Sequence, residues 1–145
     1  FIKMKFTCSV IIDKPIEDVT KAFLDVESMK HSHNGFIDKV LIEGNSFEVG
    51  AKYKLVYKKF IMTETITENN LPDSFSGLYE HKHMTNTMNS YFEAIDDTKT
   101  KFSAVIEYTE FKGFMIKIIS KLFPSMFKKQ GEKWLERFKS YVEGL

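Results

Sequence analysis

The 145-residue sequence predicts an α+β domain in which a strongly curved antiparallel sheet of about seven strands wraps around one long C-terminal helix, with two short helices after the first strand. Three observations predict it. Residues 36 to 111 alternate apolar and polar with period two, broken by turn residues at short intervals. Residues 125 to 143 repeat with helical spacing. Between them and the first strand, residues 16 to 32 carry a helical pattern.

The elements follow in order. Met4, Phe6, Cys8, Val10 and Ile12 share one face of a half-buried strand over 4–12. Asp13 makes a turn and Pro15 opens a helix, with Glu17 and Asp18 in its first turn, where negative charge suits the helix dipole. Ile16, Val19, Ala22 and Phe23 form its apolar stripe, and residues 28–32 add a second short helix before the turn at Asn34-Gly35. Strands are expected near 36–43, 51–58, 60–69, 74–84, 86–96 and 101–111. Gly44-Asn45, Asn69-Asn70 with Pro72-Asp73, and Asp96-Asp97 supply turns between them. No Gly or Pro separates Lys58 from Met62, so that connection is a tight turn or a bent strand. Residues 112–123 are strongly apolar and end at Pro124. Beyond it Phe127, Gln130, Gly131, Trp134, Leu135, Phe138, Tyr141 and Val142 line one side of the last helix, and Lys128, Lys129, Glu132, Lys133, Glu136, Arg137 and Lys139 the other.

Composition narrows the function classes. Hydrophobic residues make up 43% and charged residues 28%, too apolar for disorder and ordinary for a single globular domain over 1–145. Aromatic residues reach 14%, with fourteen Phe, so either a large core or a lined cavity must house them. The net charge of +1 gives no reason to expect nucleic acid as a partner. Cys8 is the single cysteine, so no internal disulfide forms and a reducing, cytoplasmic setting is expected. No apolar run is long enough for a transmembrane helix. No charged-then-apolar leader opens the chain at Phe1, and Met4 is a candidate native start. There is no repeat, linker, P-loop, G-x-G-x-x-G or G-x-S-x-G.

Several segments then carry a family resemblance. Asp13-Lys14-Pro15-Ile16-Glu17-Asp18-Val19 is similar to the opening "I-x-A-P-x-E-x-V" of the START-like (SRPBCC) superfamily, which includes the Bet v 1-type proteins and the bacterial polyketide cyclase/dehydrase-like group. Leu24-Asp25-Val26-Glu27 resembles its helix end, Val40 to Gly50 its strand and turn, Ile66-Thr67-Glu68 with Leu71-Pro72-Asp73 its "V-x-E-x-x-P" stretch, and Trp134 to Val142 its closing helix. Many members carry Trp where this chain has His31-Ser32-His33-Asn34. The resemblance implies a helix-grip fold with a deep pocket for a small hydrophobic ligand, a lipid, isoprenoid or aromatic metabolite.

Alternation names the cavity-facing positions that such a pocket would use: Phe36, Val40 and Ile42; Tyr53, Leu55 and Tyr57; Met62, Glu64 and Ile66; Phe92; Phe102, Ala104, Ile106 and Tyr108; and, from the helix, Phe127, Gln130, Trp134 and Phe138. Taken alone these residues read as a solid core; the resemblance turns them into cavity walls. Glu64 is either a polar anchor or acid/base inside the cavity, or, after a one-residue slip, a solvent residue with Thr63, Thr65 and Thr67 inward. His81 and His83, at i and i+2, could chelate a metal, but with Cys8 as the lone thiol the ligand count is too low and they read as rim residues; His31 and His33 read as loop residues. Cys8 reads as a small packed hydrophobe. Residues 112–123 form a membrane-surface helix or, preferably, a lid hinged at Gly113 and Pro124. Gly131 marks a close approach or a bend.

The resulting expectation is a binder of a small hydrophobic molecule with no cofactor and no metal, a monomer or weak homodimer, leaning away from enzymes. A cyclase/dehydratase-type enzyme would need an inward acid or base, with Glu64, Tyr53, Tyr57 and His81 as candidates. A protein-interaction module of the Aha1 type would show an exposed apolar patch instead of a cavity.

Overall fold

In the computed structural model, which describes residues 4–145, eleven elements follow the expected order. They are β1 (Met4–Ile12), α1 (Ile16–Leu24), α2 (Val26–Ser32), β2 (Phe36–Glu43), β3 (Lys52–Tyr57), β4 (Ile61–Asn70), β5 (Ser74–His81), β6 (Met84–Asp96), β7 (Lys99–Phe111), α3 (Phe114–Leu122) and α4 (Ser125–Glu143). The reading of Phe1 and any preceding leader lies outside the described residues.

The seven strands form one antiparallel sheet in the order β1-β7-β6-β5-β4-β3-β2. The order follows from short connections: each strand from β2 to β7 pairs with the next, and β1 returns to the free edge of β7. The break between β3 and β4 is a tight hairpin around Lys58-Lys59, closed by Tyr57 N–H donating to the Phe60 carbonyl at 2.9 Å. Irregularities in register interrupt β2, β4, β6 and β7. Such bulges bend a strand and increase its twist, which curves the sheet.

The two short helices meet at Asp25. Its backbone is extended, ending α1, and its carboxylate accepts from Glu27 N–H at 2.9 Å, capping α2. The second helix thus starts at Val26, two residues earlier than its sequence pattern suggests, and takes in His31; His33 is its C-terminal boundary. His31 stacks on Tyr141 of α4, with ring centroids 4.5 Å apart.

The placement of α4 decides the rest. Its direct packing is onto β1, α1 and α2, while β3 to β5 stand off from it. Gly131 permits the close side: a Cβ there would lie 3.1 Å from Cys8 Sγ and 3.3 Å from the Phe6 ring. At its far end Asp13 N–H donates to Glu143 at 2.7 Å and Lys14 Nζ to the Leu145 carbonyl at 2.9 Å. A helix held against one edge of a curving sheet cannot also follow the other edge.

The core accordingly splits in two. One cluster lies under α4, built from Cys8, Val10, Ile12, Phe92, Phe102, Ala104, Leu135, Phe138 and Val142 with Val19 and Ala22 of α1. The second lines the far half of the sheet, with Phe36, Ala51, Tyr53, Leu55, Tyr57, Ile66 and Phe75. Phe23 bridges them, edge-on to Phe75, Phe92, Phe102 and Phe138 at centroid distances of 5.1 to 6.2 Å.

Candidate functional site

Between α4 and the receding half of the sheet lies a cavity of about 550 Å³, partly open to solvent. Such a volume falls in the range that accommodates drug-sized molecules. Leu55, Tyr57, Met62, Glu64, Ile106 and Tyr108 line it from the strands, and Phe127, Gln130, Trp134 and Phe138 from α4, all positions that alternation had placed there. Phe23, Leu24, Met29, Phe75 and Met88 complete an apolar wall.

Other expected positions lie elsewhere. Phe36, Tyr53, Ile66, Phe92, Phe102 and Ala104 are buried but do not border the cavity; they pack the two clusters behind it. Tyr53 turns its hydroxyl to the β2–β3 loop, where it accepts from Phe47 N–H at 2.8 Å and meets Ser46 Oγ at 3.0 Å. Val40 and Ile42 are exposed on the outer surface, a correction to strict alternation. The cause is the bulge between Phe36 and Asp38: Phe36 pairs with Tyr57, but Lys39, not Asp38, pairs with Leu55. The extra residue exchanges the two faces, so Lys39 points in and Val40 out.

That exchange builds the cavity's polar pole. Glu64 faces inward beside Met62 and Ile66, flanked across the ladder by Tyr53 on β3 and Tyr79 on β5. Lys39 Nζ lies 2.9 Å from Glu64 Oε1, and the two side chains are only 9% and 6% exposed. The angle of that approach does not make a directed hydrogen bond, so Oε1 is ion-paired yet retains acceptor capacity. Lys39 Nζ also sits 4.3 Å from the centre of the Tyr53 ring. Tyr79 donates its hydroxyl to Glu64 Oε2 at 2.5 Å. The Tyr79 ring folds back across Gly77, where an added Cβ would lie 3.0 Å from the ring, so the glycine makes room for this bond. Burial first, then the Glu64 charge and hydrogen bond, hold the Tyr79 hydroxyl well above its ordinary value.

A second polar pair lies alongside. His33 Nδ1 and the Tyr57 hydroxyl are 2.9 Å apart. Burial, reinforced by the Lys39 charge, lowers His33 to about 4, so its imidazole is neutral near pH 7. Burial and then the Glu64 charge push Tyr57 up, so its hydroxyl keeps its proton. Trp134 contributes one further group: its indole N–H is buried at the cavity wall without a hydrogen-bond acceptor. On the opposite wall Tyr108, raised to about 12 by burial, packs with Phe111 and Phe127.

The four histidines do not converge. His33 lies in the loop between α2 and β2, as expected, and its ring borders the cavity; His31, also expected on a loop, falls within α2 on the α2–α4 surface; His81 and His83 sit at the β5–β6 turn, where His83 N–H donates to His81 Nδ1 at 3.1 Å and His81 packs edge-on against Phe60. Neither His81 nor His83 lines the cavity. Among the described residues no three His, Cys, Asp or Glu side chains are placed to hold a metal ion. Cys8 lies beneath α4, its thiol raised by burial and then by Glu132, against a lowering from Lys128. None of residues 112–123 borders the cavity, so α3 does not cover it as a lid. Lys39, Tyr79 and His33 are the functional groups that alternation missed; a counter-charge for an inward Glu64 was the one signal pointing to Lys39.

No protein-family model matches the sequence, and no curated protein matches it. Solved structures do. The Zhui aromatase/cyclase from Streptomyces sp. R1128 superposes with a TM-score of 0.79 at 8% identity, over 98% of this chain and 94% of that one. Ara h 8.0201 superposes at 0.74 with 13% identity, over 99% and 100%. Protein BH1534 from Bacillus halodurans gives 0.71 with 16% identity, over 99% and 98%. Likeness at these identities shows the fold: the chain shares the helix-grip architecture of these structures, a curved antiparallel sheet set against a long C-terminal helix. Among the described residues no helix is long and apolar enough to cross a membrane.

Proposed function

We propose that this chain binds a small amphiphilic molecule, apolar over most of its length, in the cavity between sheet and α4. The observation that carries the reading is one hollow with two kinds of lining: aromatic and aliphatic side chains, and among them a buried Lys39–Glu64–Tyr79 cluster with His33–Tyr57 beside it. Apolar walls supply affinity and a few placed polar groups supply orientation. The Lys39 charge is already matched by Glu64, so a neutral head group that accepts from the Trp134 indole and donates to Glu64 Oε1 suits the pole better than a second carboxylate would. The architecture is the one in Ara h 8.0201 and the Zhui aromatase/cyclase, which supports a ligand-holding role.

Trp134 is the only tryptophan and borders the cavity, so it reports occupancy directly. Titration with 2-naphthol and with a neutral long-chain alkanol should change its emission saturably, and Met88→Phe/Ile106→Phe, which partly fills the hollow without adding a tryptophan, should weaken the response to both while leaving the circular dichroism intact. Non-saturable changes, or equal responses in the filled variant, overturn the proposal.

One observation favours a second reading, an acid–base enzyme of the cyclase/dehydratase kind. A neutral imidazole hydrogen-bonded to a protonated tyrosine, facing the cavity, can move a proton to or from a bound carbonyl compound. Turnover of a poly-β-carbonyl thioester that is lost in His33→Gln would support it; an inert wild-type protein that still binds the compound would exclude it.

A further inference from the structure

We infer that α3 is a membrane-surface anchor that docks the protein on anionic lipid bilayers, a role that does not depend on what the cavity holds. The helix is amphipathic in the reverse of the usual sense. Its inner side carries Ile116, Ile119 and Ser120, all only partly covered, and no residue of α3 is buried. Its outer side carries Phe114, Met115, Ile118 and Leu122, with Phe114 78% exposed, Met115 67% and Leu122 63%. Phe123 and Met126 extend the same exposed patch past Pro124. Other apolar side chains are exposed elsewhere, among them Ile42 and Val49, but this patch gathers six on one helix and the turn after it, and a contiguous apolar surface of this kind marks an interaction site.

Charge identifies the occupant. Residues 112–131 contain five lysines, Lys112, Lys117, Lys121, Lys128 and Lys129, and no Asp or Glu. The whole chain is only +1, so positive charge is gathered around this patch and the remainder is net negative. All five lysines are exposed, and in helical projection Lys117 and Lys121 flank the apolar stripe on one side. Protruding aromatic and aliphatic side chains edged by lysines match the two layers of an anionic membrane surface: acyl boundary for Phe114 and Leu122, phosphate headgroups for the lysines. A protein groove would have to be both apolar and acidic to do the same. The segment is delimited by Gly113, whose φ of 97° is open to glycine, and by Pro124, so α3 is set apart from β7 and α4 as a short projecting unit. Phe127, a few residues past Pro124, borders the cavity, which places the anchor next to the compartment a hydrophobic guest would enter.

The test is co-sedimentation of the full chain with large unilamellar vesicles of phosphatidylcholine alone and with about 30 mol % phosphatidylglycerol, at low and high salt. The wild-type protein should pellet with the anionic vesicles at low salt and be released by salt or by omission of phosphatidylglycerol. Lys117→Gln/Lys121→Gln should lower the partition coefficient about thirtyfold, about fivefold for each exposed lysine removed. Phe114→Ser/Leu122→Ser should weaken it at least as much, with unchanged circular dichroism and an unchanged Trp134 response to 2-naphthol. Equal binding to neutral and anionic vesicles, no binding to either, or binding indifferent to the Phe114/Leu122 pair each overturns the proposal. So does concentration-dependent dimerisation abolished by that pair without vesicle binding, which would make the patch a protein contact.

Discussion

Replacing Lys39 by methionine isolates the ion pair on which the cavity's polar end is built. At 2.9 Å and an effective dielectric constant of 20, the attraction between the two charges is about 6 kcal/mol. Removing the ammonium does not cost that full amount, because Glu64 can escape an unpaired buried charge by binding a proton on folding. Protonating an ordinary glutamic acid, which titrates near 4.3, costs about 3.7 kcal/mol at pH 7, and this caps the loss. Lys39→Met is therefore expected to destabilise the protein by about 3–4 kcal/mol at pH 7, in line with other broken buried pairs. The sign of its pH dependence follows. The folded variant binds a proton that its unfolded chain does not, so stability rises as pH falls, by about 1.4 kcal/mol per unit down to the ordinary glutamate range. Urea denaturation of wild type, Lys39→Met and Lys39→Met/Glu64→Gln at pH 5, 6 and 7 measures this. The double variant, with no charge to bury, should recover most of the loss and lack the added pH dependence. A single variant that loses under about 1 kcal/mol at pH 7, or whose loss does not shrink toward pH 5, would refute the reasoning, because Glu64 would then be solvated.

Further outcomes test other parts of the site and frame. His33, held at about 4 in the folded chain against 6.5 unfolded, contributes stability that is present above 6.5 and lost as pH falls toward 4; the whole loss is about 3 kcal/mol, and His33→Gln should remove that part of the acid sensitivity when urea midpoints are compared across this range. A variant as acid-sensitive as wild type would mean that the imidazole is not shielded. Gly44→Ala forces a side chain into φ 78° with its Cβ 3.1 Å from the Ala51 backbone, and should cost about 2 kcal/mol or more in urea denaturation. Gly50→Ala, at φ 92° with open space around it, should cost less; equal losses would show that the contact with Ala51 yields freely.

The legible parts of this protein are those where a residue's neighbours in sequence determine its environment. The alternation of β3 and β7 put Leu55, Tyr57, Ile106 and Tyr108 on the cavity side because the ladders of β3 with β4 and of β7 with β1 run without a slip. The helical stripe of α4 placed Trp134 and Phe138 for the same reason. What alternation could not give was the bulge in β2, since Phe36-Ile37-Asp38-Lys39 has no glycine or turn residue to announce it. One inserted residue sent Val40 outward and brought Lys39 to Glu64. Nor could alternation separate the residues behind the cavity from those on it. Phe92, Phe102 and Ala104 share the inner face with Ile106, but Phe23 and α4 lie directly on them. That distinction depends on where the helix leans, which is set by Gly131 against Cys8 across 123 residues of chain. His31 was misplaced because the cap at Asp25 starts α2 early and the helix runs through it to Ser32.

The size of the hollow constrains what it can be. An apolar void left in a collapsed core costs roughly 24 cal/mol per Å³, so 550 Å³ of dry emptiness would cost about 13 kcal/mol, as much as the entire stability of a typical domain. A fold cannot carry that, so the space is tolerable only where it is wet or filled. Its polar groups and its opening to solvent make wetting possible: Glu64 Oε1, the Trp134 indole, Gln130 and Asn86 all offer hydrogen bonds to a small polar occupant. Met88, Ile106, Phe127 and Phe138, which share the lining, offer water nothing. A molecule with one hydrogen-bonding head and an apolar body satisfies both kinds of wall at once, whereas water satisfies only the first. The mixed lining that lets the empty cavity exist is therefore the same feature that selects an amphiphile to fill it.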